Sequence, residues 1–203
     1  MTIDPGSNVN APAYPLINKV SPMSPFRSLP LAAVALCLST SVLAAQASTT
    51  TPPSFKTEFL GQFESSMEKF IALAKAMPAD KYAWSPGPGV MTVARVYGHV
   101  ARYNYYYPAS AMGIAAPPSL GLDSLERMTR KAEIVALLEG SAAHVRASVG
   151  KLSDEQLAKS TTLYGRTVPQ WSVLLQLVAH MNEHLGQSIA YARSNNVVPP
   201  WSQ

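Results

Sequence analysis

The chain has 203 residues, of which 47% are hydrophobic and 14% charged, a balance that suits one globular domain with a real core and excludes a highly charged tail protein. Its formal net charge of +4 is small for this length, and the Lys and Arg residues are scattered along the chain. A nucleic-acid partner, which needs a clustered basic face, is therefore not expected.

Residues 1–24 are rich in Pro, Asn and Ser without an apolar period, and read as a disordered N-terminal extension. After Arg27 an apolar run extends from Leu29 to Ala45 and closes on Ala45-Gln46-Ala47, the small-x-small pattern of a signal-peptidase site. Residues 25–47 thus read as a signal peptide, with initiation at Met23 and a mature domain over 48–203. Ser39, Thr40 and Ser41 interrupt the run, which is too short for a comfortable bilayer span, so no stable membrane anchor is expected after cleavage. The reading implies export to the periplasm or the medium. Cys37, the only cysteine, lies within the signal, so the mature domain has neither a disulfide nor a cysteine nucleophile.

From Ser54 to Met77, Phe55, Phe59, Phe63, Met67, Phe70, Ile71 and Ala74 recur every three or four positions and predict an amphipathic helix that Pro78 ends. Ser85-Pro86-Gly87-Pro88-Gly89 demands a loop. Thr92 is the expected N-cap of a second helix running to about Tyr106, with Pro108 beyond it. Val93, Val96, Tyr97 and Val100 form its apolar stripe, and His99, Tyr103 and Tyr106 lie beside that stripe. A loop with Pro117, Pro118 and Gly121 leads to a third helix over roughly Thr129–Val149, with Ile134, Leu138, Val145 and Val149 as its stripe. Residues 161–168 are β-branched and read as extended, and a fourth helix starts between Pro169 and Ser172 and continues to about Ser194. Four long helices with little strand pattern predict an all-α, up-and-down four-helix bundle.

His180 and His184 are four residues apart on the fourth helix, on the face shared by Val173, Leu177, Gln187 and Tyr191. Two neutral imidazoles at this spacing make a bidentate platform for zinc and similar metals, and His99 can supply the third ligand. Isolated histidines are more often hydrogen-bonded core or boundary residues, so spacing alone leaves that alternative open. His144 lies off the third helix's stripe and reads as a surface residue. His180-Met181-Asn182-Glu183-His184 also spells H-x-x-E-H, but the further downstream glutamate ligand of that metalloprotease pattern is absent, since no Asp or Glu follows His184. A di-iron site is disfavoured because neither His180 nor His184 has a Glu three residues before it. Glu183 could serve as general base beside the ligand His184, or be a solvated helix carboxylate.

Three segments carry a family resemblance: Met77-Pro78-Ala79-Asp80-Lys81-Tyr82-Ala83-Trp84-Ser85-Pro86, Met91-Thr92-Val93 through His99, and His180-Met181-Asn182-Glu183-His184-Leu185-Gly186-Gln187 followed by Tyr191, Arg193 and Pro199-Pro200. With them the chain resembles the DinB-like (YfiT-like) superfamily of metal-dependent enzymes from about Phe55 to Pro200. The resemblance implies a mononuclear divalent metal, zinc or nickel, held by His99, His180 and His184. It also implies a small-molecule substrate, hydrolase or thiol-dependent transferase chemistry, and a homodimer by analogy. An export signal departs from the cytosolic pattern and weighs against a thiol cosubstrate, because reduced thiols are scarce outside the cytosol. Tyr103, Tyr106 and Tyr191 could line a pocket beside the ion and Arg193 could meet a substrate carboxylate, although core packing and the helix dipole account for these residues equally well. A non-catalytic exported metal or ligand carrier would need the same histidines.

Overall fold

The structure, a computed structural model, describes residues 52–202. The extension, the signal segment and Cys37 lie outside the described residues. Four long helices dominate: α1 (Phe55–Ala76), α2 (Val93–Met112), α3 (Lys131–Gly150) and α5 (Gln170–Ser194). A one-turn-and-a-half helix α4 (Asp154–Ala158) and a hairpin of β1 (Ser160–Leu163) and β2 (Arg166–Pro169) join α3 to α5. Among the described helices, none is long and apolar enough to cross a membrane.

Capping sets the helix starts. Ser54 and Thr92 each accept a hydrogen bond from the backbone amide three residues on, which satisfies one of the orphan donors at the N-termini of α1 and α2. α2 does not stop at Pro108, as the proline rule suggests. It continues through it to Met112, because Tyr107, Pro108 and Ala111 are all buried in its last turn and offset the lost amide bond. The stop is Gly113, whose φ of 70° ends the helix in the left-handed conformation. The extended reading of 161–168 resolves into the antiparallel hairpin, with Thr161 opposite Val168 and Thr162 opposite Thr167.

The expected apolar stripes meet in one core. Phe63, Phe70, Leu73, Ile134, Leu138, Val145, Val149, Val173 and Leu174 are wholly buried, and Phe70 meets the Tyr97 ring edge-on at 5.3 Å. Around this core α1 and α2 each pack on α3 and α5, so that α1 lies diagonal to α2 and α3 diagonal to α5. Side-chain contacts fix the directions. Phe55 meets Trp171, and Ser66 donates to the Asn182 side chain at 2.9 Å, so α1 and α5 run parallel. Arg146 pairs with Glu64, and Lys75 with Glu139 at 2.6 Å, so α1 and α3 run antiparallel. Tyr191 bonds the Met91 carbonyl while Tyr107 meets Tyr164 just before α5, so α2 and α5 run antiparallel. α2 and α3 must then run parallel, with Asn104 bonding Ser141 at mid-length. The chain visits the four-helix bundle in the order up, down, down, up.

That order explains residues 113–130. Because α3 starts at the same end as α2, the chain must travel back along the bundle, and it does so against the outer face of α2 through a 3-10 turn at Leu122–Arg127. Lys131 completes the return by donating to the carbonyls of Lys75 and Met77, which caps the C-terminal end of α1. His144 is half-buried against the Tyr105 ring at 5.0 Å, not a surface residue, and its Nε2 has no hydrogen-bond partner among the described residues.

Replacing Phe70 by Ala should lower stability by about 3–5 kcal/mol, because a wholly buried ring leaves a cavity that four packed helices cannot close. Chemical denaturation checks this. A loss below about 1 kcal/mol would show that the helices re-pack.

Candidate metal centre

His99 leaves the middle of α2, and His180 and His184 leave successive turns of α5, at the seam where these two antiparallel helices meet. One ligating atom from each of the three lies within 4.8 Å of the others. His99 Nε2 faces His180 Nε2 at 3.1 Å, and the three rings stand 4.6–5.0 Å apart, centre to centre.

Two of the rings are oriented from behind. His99 Nδ1 lies 2.9 Å from Glu126 Oε1, and a carboxylate only accepts, so Nδ1 carries the proton and Nε2 presents a lone pair inward. His184 Nδ1 lies 2.8 Å from Gln187 Oε1. Gln187 donates in turn to Tyr191 Oη at 2.8 Å, and Tyr191 donates to the Met91 carbonyl at 3.1 Å. This relay anchors α5 to the loop before α2 and leaves His184 Nε2 free to face the cluster. A metal-ligating histidine characteristically donates its second ring nitrogen to such an acceptor.

Aromatic rings wall the site. Tyr103 packs 4.6 Å from both His99 and His180, Tyr107 meets His180 edge-on, and Tyr106 packs against Tyr103. The Arg102 guanidinium lies 5.2 Å from the centres of the Tyr103 and Tyr106 rings. Burial, reinforced by its two histidine neighbours, pushes His180 down to about 4. Burial also lowers His99, against the opposing pull of Glu126. Burial alone would raise Glu126, but its hydrogen bond and charge interaction with His99, together with Arg95 at 3.2 Å, hold it below the ordinary carboxylate range. Arg95, and Arg102 at 3.9 Å, are the permanent cations beside Glu126.

The arrangement suits a divalent cation. Without an ion, His180 can donate Nε2–H to the bare Nε2 of His99; with an ion, the other tautomer of His180 turns its Nε2 lone pair to the same point, and the lowered basicity of His99 and His180 keeps these two rings in the neutral form that a metal requires.

Not every residue singled out from the sequence belongs here. Glu183 is exposed and its carboxylate is outside the cluster, because one residue along a helix turns its side chain about 100° from that of His184. Arg193 is exposed in the last turn of α5, more than two turns beyond His184, and Tyr191 stands behind His184 as part of the relay. The carboxylate at the site is that of Glu126, in a return segment without periodicity. A glycine inside the α2 pattern, Gly98, was the one weak signal for it, since a glycine within a helix can mark a close approach, although Gly61 and Gly186 in α1 and α5 mark none.

Comparison with known proteins bears on this geometry. The DinB superfamily profile matches residues 62–189, well over half of the chain. The chain belongs to the DinB superfamily. Among solved structures, a DinB-like protein from Bacillus cereus superposes with a TM-score of 0.62 at 20% identity, over 71% of this chain and 95% of that one. YfiT from Bacillus subtilis, described as a probable metal-dependent hydrolase with an unusual four-helix bundle topology, gives 0.56 at 16% identity, over 70% and 88%. A mycothiol-dependent maleylpyruvate isomerase gives 0.51 at 16% identity, over 66% and 62%. At these identities the structural likeness establishes the DinB fold. No curated protein matches the sequence.

In the metal-free protein, stability should fall as pH drops from about 6.5 towards 4. His180 is depressed in the folded state, so the unfolded chain binds the proton first, and the full stability present above about 6.5 is lost progressively below it. Thermal melts of wild type and His180→Asn across this range, in chelator, measure the effect. Equal pH slopes in the two would remove His180 as its source.

Proposed function

We propose that this DinB superfamily member is a metal-dependent enzyme with one divalent ion, zinc or nickel, held by His99, His180 and His184. The observation that carries the reading is the convergence of three imidazole nitrogens at one point, with the rings of His99 and His184 fixed through their other nitrogens. Three protein ligands leave a coordination position for a small molecule, which separates a reactive centre from a closed structural one. When bound there, such an ion polarises a substrate oxygen or lowers the pKa of a water or thiol.

The protein's own groups do the rest. Glu126 and Gln187 hold two of the ligand rings in one tautomer, and the surrounding helices remove water from the inner side of the cluster. Tyr103 and Tyr106 offer flat apolar surface to a substrate on the outer side, where Tyr106 is exposed. Glu183, on the exposed flank, is not assigned a part in proton transfer.

Hydrolytic chemistry is favoured over thiol transfer by the proposed signal segment at 25–47, since export would carry the domain to a compartment poor in reduced thiols. YfiT, described as a probable metal-dependent hydrolase, and the mycothiol-dependent isomerase share the fold, so the choice rests on the proposed signal segment.

Elemental analysis of purified protein should find about one divalent ion per chain, and His180→Ala should lose most of it with the helical content unchanged. Wild-type protein that holds no ion and refuses added zinc and nickel would overturn the centre.

A further inference from the structure

Arg95, Gly98, His99 and Arg102 of α2 all meet the 3-10 turn of the return segment, and their spacing puts them on one helix face. Three of them grip the 3-10 turn by side chain: Arg95 bonds Glu126 at 3.2 Å, His99 bonds it at 2.9 Å, and Arg102 bonds Asp123 at 3.3 Å. Gly98 contributes by having no side chain. A Cβ built on it would lie 2.5 Å from the carbonyl oxygen of Leu125 and 3.3 Å from Cα of Glu126, the first a separation that real Cβ atoms do not adopt. The obstructing atoms are backbone, so relief requires the whole turn to move outwards.

We propose that Gly98 and Glu126 act as one device that sets the metal affinity of the centre: Gly98 admits the turn, and the turn delivers the carboxylate that fixes His99. The inference rests on the proposed three-histidine site. Glu126 is a positioning residue, on the Nδ1 side of His99 and away from the nitrogen that faces the cluster. Its contribution has two parts. It selects the tautomer with a bare Nε2, which an isolated imidazole does not favour, and its negative charge makes the ring a stronger donor. Hydrogen bonds weaken steeply with distance and angle, so a shift of the turn too small to unfold it still uncouples the pair. Leu125, buried at 4% exposure, keeps the segment docked on α2 and argues that it is a fixed part of the wall.

The test measures zinc dissociation constants by chelator competition for wild type, Glu126→Gln, Glu126→Ala, Gly98→Ala and the Gly98→Ala/Glu126→Ala double variant. Glu126→Ala should weaken binding by about 10–100-fold, and Glu126→Gln, which keeps an acceptor without the charge, should fall between it and wild type. Gly98→Ala should weaken binding in the same range, and the double variant should be no worse than the worse single one, because both changes break one contact. A purely structural role would not alter the His99 tautomer, so 15N NMR of the metal-free proteins gives a second readout: protonated Nδ1 in wild type, mixed tautomers in Glu126→Ala and Gly98→Ala. Wild-type affinity in both Glu126 variants, or additive losses in the double variant, would overturn the proposal. Wild-type protein that binds no zinc at all would instead sink the metal centre itself. If a variant is shown by its melt to be too unstable to bind, Glu126→Asp, which retracts the carboxylate without touching the Gly98 contact, carries the test: a smaller loss of affinity with mixed His99 tautomers supports the proposal, and wild-type affinity overturns it.

Discussion

The parallel run of α2 and α3 is the constraint from which the rest of the architecture follows. Two neighbouring helices that point the same way cannot be joined by a tight turn, so the chain must retrace the length of the bundle between them. Residues 113–130 do this on the outer face of α2, and that face carries the arginines and the histidine that a four-helix bundle would otherwise turn to water. A connection forced by topology thereby becomes a wall of the candidate metal centre.

The site and the core depend on each other through the same helices. The stripes of α2 and α5 bury Val96, Val100, Leu177 and Met181 and so hold the two backbones at a fixed separation. His99, His180 and His184 occupy the edge of that packed layer, where desolvation lowers the basicity of His99 and His180 and aromatic neighbours limit the freedom of both rings. Burying polar rings at such an edge is costly unless their nitrogens are satisfied. Glu126 and Gln187 satisfy two of them. Glu126 in turn is held ionised by its hydrogen bond to His99 and by Arg95, against the desolvation that alone would raise it.

Much of this was legible in the sequence wherever periodicity carries the information. The four long helices, their buried stripes and the inward face shared by His180 and His184 follow from spacings of three and four, because an α-helix returns those positions to one side. Local rules were less informative where tertiary packing outweighs them. Pro108 reads as a terminator, yet burial of its own turn carries α2 past it to Gly113. α4 is only five residues long, too short to show a period, although Ser153 and Gln156 form a capping box around its first turn. Helix directions are not encoded by any spacing, since a stripe looks the same in a parallel or an antiparallel partner. Glu126 escaped for that reason: it reaches His99 only because the return segment runs where it does. Glu183 drew attention through adjacency in sequence, which on a helix is separation in space.

The three candidate ligands come from only two helices, and His99 and His180 are 81 positions apart. An ion shared between them would be a pin across the α2–α5 seam, equivalent to a cross-link closing a long loop. By the chain-entropy argument used for disulfides, such a closure restricts the unfolded ensemble by on the order of 4 kcal/mol. Occupancy of the candidate centre and persistence of the fold would then be governed by one quantity, the supply of free metal around the protein. A domain without a disulfide would acquire, through its candidate metal centre, the kind of reinforcement that other proteins obtain from cystine.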